Sequence, residues 1–168
     1  MSKYKETAFL LLGGNVGAVE LTFTKALKAL EEIAEIEKVS GLYQTQPWGM
    51  SVGTPAFLNQ AVQVSTSLSP LDLLVELQRI EAVFGRKRAV TIEGYQNRTL
   101  DIDILLYGKK VVDSQRLRIP HPRLQERQFA LKPLQELAPS WPVPPSGETV
   151  LNFVKKCKDT AKVVLVEK

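Results

Sequence analysis

Two aspartates, two positions apart, are the residues of this sequence whose type and spacing are best suited to chemistry. Asp101 and Asp103 lie within residues 98–106, where they alternate with apolar residues. If this stretch is a strand, successive side chains point to opposite faces of the sheet, and the two carboxylates share one face about 6 to 7 Å apart. Each carboxylate then raises the pKa of the other unless a cation lies between them. Mg²⁺ is a candidate, because it takes carboxylates, waters and substrate phosphates as ligands.

The arginines of the chain are concentrated around this pair. All eight lie between Arg79 and Arg127, a window that holds eleven basic and six acidic residues, while the rest of the chain holds eleven basic and twelve acidic residues. The planar guanidinium binds phosphate oxygens in pairs, so this distribution indicates phosphate recognition. A solvated basic surface is the alternative interpretation.

The elements that position these residues are indicated by their periodicity and turn signals. Strands are predicted at residues 7–12, 39–43, 57–66, 100–107 and 162–166, and helices at 18–35, 69–84, 130–137 and 150–156. Ser69 is an N-cap candidate because Pro70 follows it. The first six elements, in the order βαββαβ, predict a ferredoxin-like α+β sandwich with helices on one sheet face and C-terminal additions.

Composition limits the class of protein. The chain has 168 residues, of which 44% are hydrophobic, so we expect a single domain spanning residues 1–168. The apolar stretch at residues 8–12 is too short for a signal peptide or a membrane span, which predicts a soluble cytoplasmic protein with no membrane partner. The only cysteine, Cys157, has no partner of metal-ligand spacing and is more often a bystander than a nucleophile.

Glu81 lies at the edge of the apolar stripe of the helix at residues 69–84. A carboxylate in that position needs a partner. The sequence leaves two interpretations open: a salt bridge to a nearby arginine, or a polar group at the border of a ligand site with Gln78 one turn earlier.

Several segments in a fixed order then resemble one enzyme family. Residues 98–106 resemble the signature of the 6-hydroxymethyl-7,8-dihydropterin pyrophosphokinases. The other matching segments are Gly13-Gly14-Asn15, Tyr43-x-Thr45-x-Pro47, residues 57–62, residues 78–81, and residues 119–123 followed by Arg127-x-Phe129. The resemblance covers residues 9–140.

The resemblance implies an activity and a role for each matching position. The implied reaction is transfer of the terminal diphosphate of ATP to the hydroxymethyl group of the dihydropterin, with release of AMP, early in folate synthesis. Asp101 and Asp103 are implied to hold two Mg²⁺ ions. Arg86 and Arg88 are implied to close over the phosphates on a mobile loop. The implied ATP contacts are Gln78, Glu81, Tyr95, Arg98, Ile104, Arg116, Arg118, His121 and Arg127. The implied pterin contacts are Thr45, Gln46, Pro47, Trp48, Phe57, Asn59 and Phe129.

Two other functions are compatible with parts of this pattern. A nucleic-acid-binding ferredoxin-like module also uses basic residues and sheet aromatics, but here two aspartates stand where they would repel a phosphate backbone. A non-catalytic ligand-sensing domain is the second alternative. We therefore expect small-molecule substrates and no nucleic-acid partner.

Overall fold

The computed structural model describes residues 5–46, 55–85 and 99–167. Its strands are β1 (Glu6–Gly14), β2 (Glu35–Val39), β3 (Leu42–Thr45), β4 (Phe57–Thr66), β5 (Asp101–Tyr107), β6 (Val112–Asp113), β7 (Arg118–Ile119), β8 (Pro142–Val143), β9 (Glu148–Thr149) and β10 (Val163–Glu167). Its helices are α1 (Val19–Leu30), α2 (Pro70–Val83), α3 (Gln128–Leu137) and α4 (Val150–Lys156), with a short 3₁₀ turn at Leu124–Glu126.

One antiparallel sheet organises the structure, in the order β10-β3-β4-β1-β5, and β2 pairs with the other half of β4. β1 is an interior strand between β4 and β5, and its residues Ala8 to Leu12 are at most 3% exposed because both of its faces are covered. β2 and β3 pair with successive parts of the same neighbour and behave as one interrupted strand. The predicted βαββαβ order and ferredoxin-like α+β fold are confirmed.

Helices cover both faces of this sheet. On one face α1 and α2 bury Phe23, Leu73 and Leu77 against the even-numbered side chains of β1. On the other face α3 and α4 bury Leu131 and Leu134, among others, against Phe9 and Leu11. The predicted C-terminal additions therefore form a third layer. Among the described residues, no helix is both long and apolar enough to cross a membrane.

The predicted extent of the first helix was wrong. The helix ends at Leu30 rather than at Glu35, which already begins β2. The backbone N–H groups of Ile33 and Ala34 both donate to the carbonyl of Leu30, at 3.0 Å each, and so turn the chain towards the sheet. Ile33 and Ala34 still pack against the core. Their apolar spacing matched a helix although they lie in a turn.

The predicted strand at residues 39–43 is divided. Ser40 and Gly41 separate β2 from β3, and the Ser40 hydroxyl accepts a hydrogen bond of 2.9 Å from the backbone N–H of Ala61. Because this side chain bonds to the β4 backbone, the chain can break its regular pairing there without leaving a buried donor unsatisfied. The interruption lets β3 continue to Thr45.

Candidate active site

Three neighbouring strands place the residues of interest in one row across the sheet. Gly13 of β1 is paired with Asn59 of β4 on one side and with Asp101 of β5 on the other, and Leu11 is paired with Asp103. Paired residues of antiparallel strands project to the same face, so Asn59 and the two aspartates share that face. Ile102 and Ile104 project into the core on the α1 and α2 side.

Gly13 is the point at which this row is most crowded. A Cβ atom on Gly13 would lie 2.8 Å from Nδ2 of Asn59. That same Nδ2 donates a 3.2 Å hydrogen bond to the carbonyl of Leu12, and Asn59 is only 6% exposed. The absence of a side chain at position 13 therefore fixes where the Asn59 amide lies.

A cavity of about 950 Å³ opens on this face beyond the start of α3, and we call it the sheet-face cavity. The predicted pterin contacts within the described residues all line it: Thr45, Gln46, Phe57, Asn59 and Phe129. Its other walls are Leu11, Gly13, Arg123, Glu126 and residues 158–161.

A second cavity of about 520 Å³ lies along the free edge of β5, and we call it the edge cavity. The predicted ATP contacts within the described residues all line it: Gln78, Glu81, Ile104, Arg116, Arg118, His121 and Arg127. Asp101, Asp103 and Arg127 line both cavities. The two cavities therefore adjoin at two carboxylates and one guanidinium.

Glu81 has a backbone partner in the wall of the edge cavity. Its carboxylate, in a residue that is 4% exposed, accepts a 2.8 Å hydrogen bond from the backbone N–H of Ile102. No described strand pairs with this side of β5, so that N–H needs an acceptor from elsewhere. Glu81 thus both ties α2 to β5 and borders a cavity.

His121 lies in the edge cavity as a neutral ring. Its Nδ1 accepts a 3.2 Å hydrogen bond from the backbone N–H of Arg123, so the hydrogen-bond pattern assigns the ring proton to Nε2. Burial lowers the pKa of His121 from 6.5 to about 4, and the positive charges of Arg127 and Arg123 act in the same direction, while Asp101 opposes them. The ring is therefore a neutral hydrogen-bond donor at physiological pH.

Two buried polar atoms in the cavity walls have unused hydrogen-bonding capacity. Among the described residues, the buried side-chain atoms without a hydrogen-bond partner are Oγ1 of Thr45, Nε of Arg127 and Oε1 of Gln128, and the first two belong to residues that line the cavities. The Arg127 guanidinium lies 5.4 Å from the centre of the Phe129 ring, within cation–π range. Because buried polar atoms are nearly always paired, both atoms indicate a polar ligand in the cavities.

Asp101 and Asp103 provide the donor set for a cation. Within residues 5–46, 55–85 and 99–167, no group of three or more His, Cys, Asp or Glu side chains could hold a metal ion. Two carboxylates without a third protein ligand do not fit a closed zinc site. They fit Mg²⁺, which completes its shell with water and substrate phosphates.

Some predicted residues lie outside the described part of the chain: Pro47, Trp48, Arg86, Arg88, Tyr95 and Arg98. Conversely, sequence reasoning assigned no role to Glu126 or to residues 158–161, which line the sheet-face cavity, and it included Arg123 only as part of the matching segment 119–123. Residues 158–161 follow a helix and have no motif of their own. Their place is set by the pairing of β10 with β3, which no local pattern predicts.

This arrangement suits a transfer between two bound molecules. A ligand in each cavity would meet the other at Asp101, Asp103 and Arg127. The edge cavity offers cations and a neutral donor for an anionic ligand, whereas the sheet-face cavity offers two aromatic rings, a hydroxyl and an amide for a flat polar one.

Comparison with known sequences gives a consistent match. The model of the 7,8-dihydro-6-hydroxymethylpterin-pyrophosphokinase (HPPK) family matches residues 9–139. The chain is 40% identical over 152 residues to the 2-amino-4-hydroxy-6-hydroxymethyldihydropteridine pyrophosphokinase of Synechocystis sp., covering 89% of this chain and 75% of that protein. The Haemophilus influenzae protein of the same name is 37% identical over 161 residues, covering 95% of this chain and 98% of that protein.

Comparison with solved structures shows the same fold at lower identity. A crystal structure of HPPK-DHPS in complex with substrates matches with a TM-score of 0.70 at 16% identity, over 91% of this chain and 43% of that chain. Wild-type Plasmodium falciparum HPPK-DHPS matches with a TM-score of 0.65 at 18% identity, over 90% of this chain and 43% of that chain. This chain therefore spans less than half the length of either.

Proposed function

The chain belongs to the 7,8-dihydro-6-hydroxymethylpterin-pyrophosphokinase family, and from this premise we propose that its two cavities hold the two substrates of one transfer. The chain is an ATP-dependent diphosphotransferase of folate biosynthesis. It moves the β- and γ-phosphates of ATP to the hydroxymethyl group of 6-hydroxymethyl-7,8-dihydropterin and releases AMP. The observation that carries the assignment of sites is that the two cavities adjoin at Asp101, Asp103 and Arg127.

The pterin belongs in the sheet-face cavity. A bicyclic pterin is flat, with hydrogen-bonding groups along its edges, so it is best held by stacking and a few fixed polar groups. Phe57 and Phe129 line that cavity and supply the rings. Asn59 and Thr45, which are 6% and 8% exposed, supply an amide and a hydroxyl for the polar edge.

ATP belongs in the edge cavity. Arg116 and Arg118 are exposed cations on its wall, suited to phosphate oxygens. The neutral ring of His121 donates from Nε2, the nitrogen that is not used by the backbone of Arg123. Gln78 and Glu81 border the part of this cavity formed by α2 and provide polar groups for the nucleoside.

Asp101 and Asp103 are the residues that would hold Mg²⁺, and we assign two ions to them. When bound, Mg²⁺ neutralises the phosphate charge and draws the triphosphate into one orientation. The carboxylates lie on a strand whose backbone is paired with β1, so they are presented from a rigid element.

The chain's own residues perform the transfer chiefly by alignment. The hydroxymethyl oxygen forms a bond to the β-phosphorus, and the bond from that phosphorus to the oxygen bridging to the α-phosphorus breaks. AMP leaves with the bridging oxygen, and the hydroxyl proton is released. Arg127 lines both cavities, where its guanidinium can offset the negative charge that develops on the transferred group. Arg86, Arg88, Tyr95, Arg98, Pro47 and Trp48 stay predicted contributors outside the described residues.

The direct test is AMP release from ATP, measured with and without hydroxymethyldihydropterin. We expect release that depends on both the pterin and Mg²⁺. Equal release without the pterin would indicate an ATPase, and a chain that binds both ligands but releases no AMP would indicate a sensor.

The assignment of the sheet-face cavity is tested by its aromatic rings. Phe57→Ala and Phe129→Ala are expected to weaken pterin binding with little change for ATP, because each removes one stacking surface worth about 0.5 to 1.5 kcal/mol beyond its buried area. Calorimetry with each ligand measures both effects.

Phe153→Ala is the matched control, because Phe153 packs against the α3 and α4 core and is not a cavity wall. It should lower stability and leave both affinities unchanged. Equal losses of pterin and ATP affinity in the Phe57 and Phe129 variants would contradict the assignment.

A further inference from the structure

Four consecutive residues near the end of the chain line the sheet-face cavity, although no part of the sequence signature includes them. They are Lys158 to Ala161, which we call the C-terminal segment, and they connect α4 to β10. This segment contacts the start of α3 on one side and leads into the partner strand of β3 on the other. It therefore lies between two elements that carry proposed pterin contacts.

Asp159 holds the first turn of α3. Its Oδ2 accepts a 3.1 Å hydrogen bond from the backbone N–H of Gln128, the first residue of the helix, and its Oδ1 accepts a 2.9 Å bond from the N–H of Ala161. Arg127, at the N-cap position, makes no side-chain cap bond. Asp159 thus supplies, from 31 residues later in the chain, the acceptor that the start of the helix requires.

The amide that Asp159 holds lies between two proposed ligand contacts. Gln128 separates Arg127 from Phe129, whose guanidinium and ring lie 5.4 Å apart. The opposite end of α3 is held to β3, because Glu136 accepts hydrogen bonds from the Tyr43 hydroxyl at 2.7 Å and from the Gly41 N–H at 3.2 Å. A loss of the Asp159 contact would therefore release only the end of the helix that faces the cavity.

On its other side, the C-terminal segment leads to Thr45. Val163 of β10 is paired with Thr45, which is 8% exposed and lines the cavity. Among the described residues, Oγ1 of Thr45 has no hydrogen-bond partner, which points independently to a ligand at this wall. The segment thus connects the stacking ring on α3 with a buried hydroxyl that can bind the same ligand.

We propose that Asp159 is a positioning residue for the pterin, which holds the start of α3 so that Phe129 and Arg127 face the sheet-face cavity in the binding geometry. The proposal rests on the proposed function of that cavity. Asp159 does not contact the reacting atoms and acts through Phe129. Its loss should therefore weaken pterin binding in the same way as the loss of that ring, and should spare the edge cavity.

The test is a double-mutant cycle between Asp159 and Phe129. Calorimetry measures the binding of 6-hydroxymethylpterin in the presence of Mg²⁺ and α,β-methylene-ATP, an analogue that blocks the transfer. We expect Asp159→Ala to weaken pterin binding about tenfold and to change the affinity for the ATP analogue less than about twofold. In the Phe129→Ala background, Asp159→Ala should cause no further loss of pterin affinity, because Asp159 affects pterin binding by positioning the Phe129 ring.

Two further variants keep the test decisive. Asp159→Asn keeps one acceptor oxygen and should lie between the wild type and Asp159→Ala; it also serves if Asp159→Ala does not fold. Ser69→Ala is the matched control, because the Ser69 hydroxyl accepts a 3.2 Å bond from the N–H of Asp72 at the start of α2 and lines neither of the two cavities. It removes a helix cap of the same kind and should leave pterin affinity unchanged.

Several outcomes would overturn the proposal. Wild-type pterin affinity in a folded Asp159→Ala or Asp159→Asn protein would do so, and so would losses that add in the double mutant. Amide hydrogen exchange of the ligand-free protein separates this failure from that of the proposed function. Faster exchange at Gln128 in the Asp159→Ala protein, with a smaller increase in the Asp159→Asn protein, supports the positioning contact, and unchanged exchange in both refutes it. A wild-type chain that binds the ATP analogue but no pterin instead refutes the function of the cavity.

Discussion

The sheet-face cavity and the edge cavity share Asp101, Asp103 and Arg127, yet their remaining walls differ in construction. The walls of the first include paired strands, where Thr45 and Asn59 are 8% and 6% exposed. The walls of the second include the turn and second strand of the short β6–β7 hairpin, where Arg116 and Arg118 are exposed. One cavity offers a fixed shape, and the other offers charge on side chains that can adjust.

This difference between the walls suits the two cavities to two kinds of ligand recognition. A flat heterocycle is selected by shape and by buried polar groups, which are costly to leave unpaired, so recognition in the sheet-face cavity is coupled to stability. A triphosphate is attracted by charge, which is screened by salt and demands less exact geometry. Substitutions of the buried polar residues in the first cavity should therefore change both stability and affinity, and substitutions of the exposed arginines in the second should change affinity alone.

The largest effect is expected where the two cavities meet. Asp101→Asn or Asp103→Asn should lower diphosphate transfer by about 100-fold or more, since a metal-holding carboxylate contributes several kcal/mol to the transition state. The stabilisation that Mg²⁺ and α,β-methylene-ATP together give to the protein should shrink in these variants. AMP release and thermal unfolding, with and without Mg²⁺ and α,β-methylene-ATP, measure both effects.

Glu37→Gln is the control for the aspartates, because Glu37 is an exposed strand carboxylate on β2 outside both cavities. It should leave transfer unchanged. An aspartate variant that unfolds without ligand but transfers at the wild-type rate when folded would show that these carboxylates are structural.

Gly13→Ala tests the fixed shape of the sheet-face cavity. The new Cβ would lie 2.8 Å from Nδ2 of Asn59 and would displace the amide from its bond to Leu12. We expect a loss of stability of about 1 to 3 kcal/mol and about tenfold weaker pterin binding, measured by denaturant unfolding and calorimetry.

Asn59→Ala provides the matched background for this variant. If the clash with Asn59 is the cause, Gly13→Ala should cost little more once the Asn59 side chain is gone. A Gly13→Ala protein with normal stability and pterin affinity would mean that the cavity adapts its shape, and the contrast between the two cavities would be lost.

Arg116→Ala and Arg118→Ala test the adjustable charge of the edge cavity. Each should weaken ATP binding about two- to tenfold without lowering the free energy of unfolding, because these side chains are exposed and contribute little to stability. The loss should shrink as salt is raised. Arg79→Ala, which removes an exposed arginine paired with Glu76 on α2, is the control and should not affect ATP binding.

The smallest effect concerns His121, the only histidine of the chain. Its pKa is lowered to about 4 by burial, Arg127 and Arg123, against the opposing charge of Asp101. The unfolded chain therefore binds one more proton than the folded protein between about pH 4 and 6.5, so stability should fall as the pH is lowered through that window.

An NMR titration of the ligand-free protein follows this single ring directly. Its resonance should not shift through pH 6.5, and His121→Gln should reduce the pH dependence of stability in the same window. A ring that titrates near 6.5 would contradict the half-buried neutral state.

Much of the fold could be predicted because its signals are local. Phe57–Thr66 and Val150–Lys156 have the predicted bounds, and Ser69 caps α2 as its sequence context indicates. The end of α1 could not be predicted, because the apolar residues Ile33 and Ala34 pack against the same core from a turn as they would from a helix. Where a turn packs against the core, hydrophobic spacing indicates which residues are buried but not whether their backbone is helical.

The site could be predicted in part for the same reason. Successive side chains of a strand alternate between its two faces, so the two-residue spacing of Asp101 and Asp103 is enough to predict that they share a face. The contribution of residues 158–161 depends on β10 pairing with β3, and that of Gly13 depends on the amide of Asn59 across the sheet. Both are contacts between distant parts of the chain, and a single sequence contains no local signal for them.

The interior position of β1, between β4 and β5, also has a kinetic consequence. Gly13 is paired with Asn59 and with Asp101, roughly 45 and 90 residues away along the chain, so two long loops must close before the middle of the sheet exists. Chains dominated by such distant pairings fold slowly, on a scale of about milliseconds to seconds. During refolding, the circular dichroism signal of the helices should therefore appear before β5, which carries Asp101 and Asp103, pairs with β1. The capacity to bind Mg²⁺ with ATP should appear in the last phase.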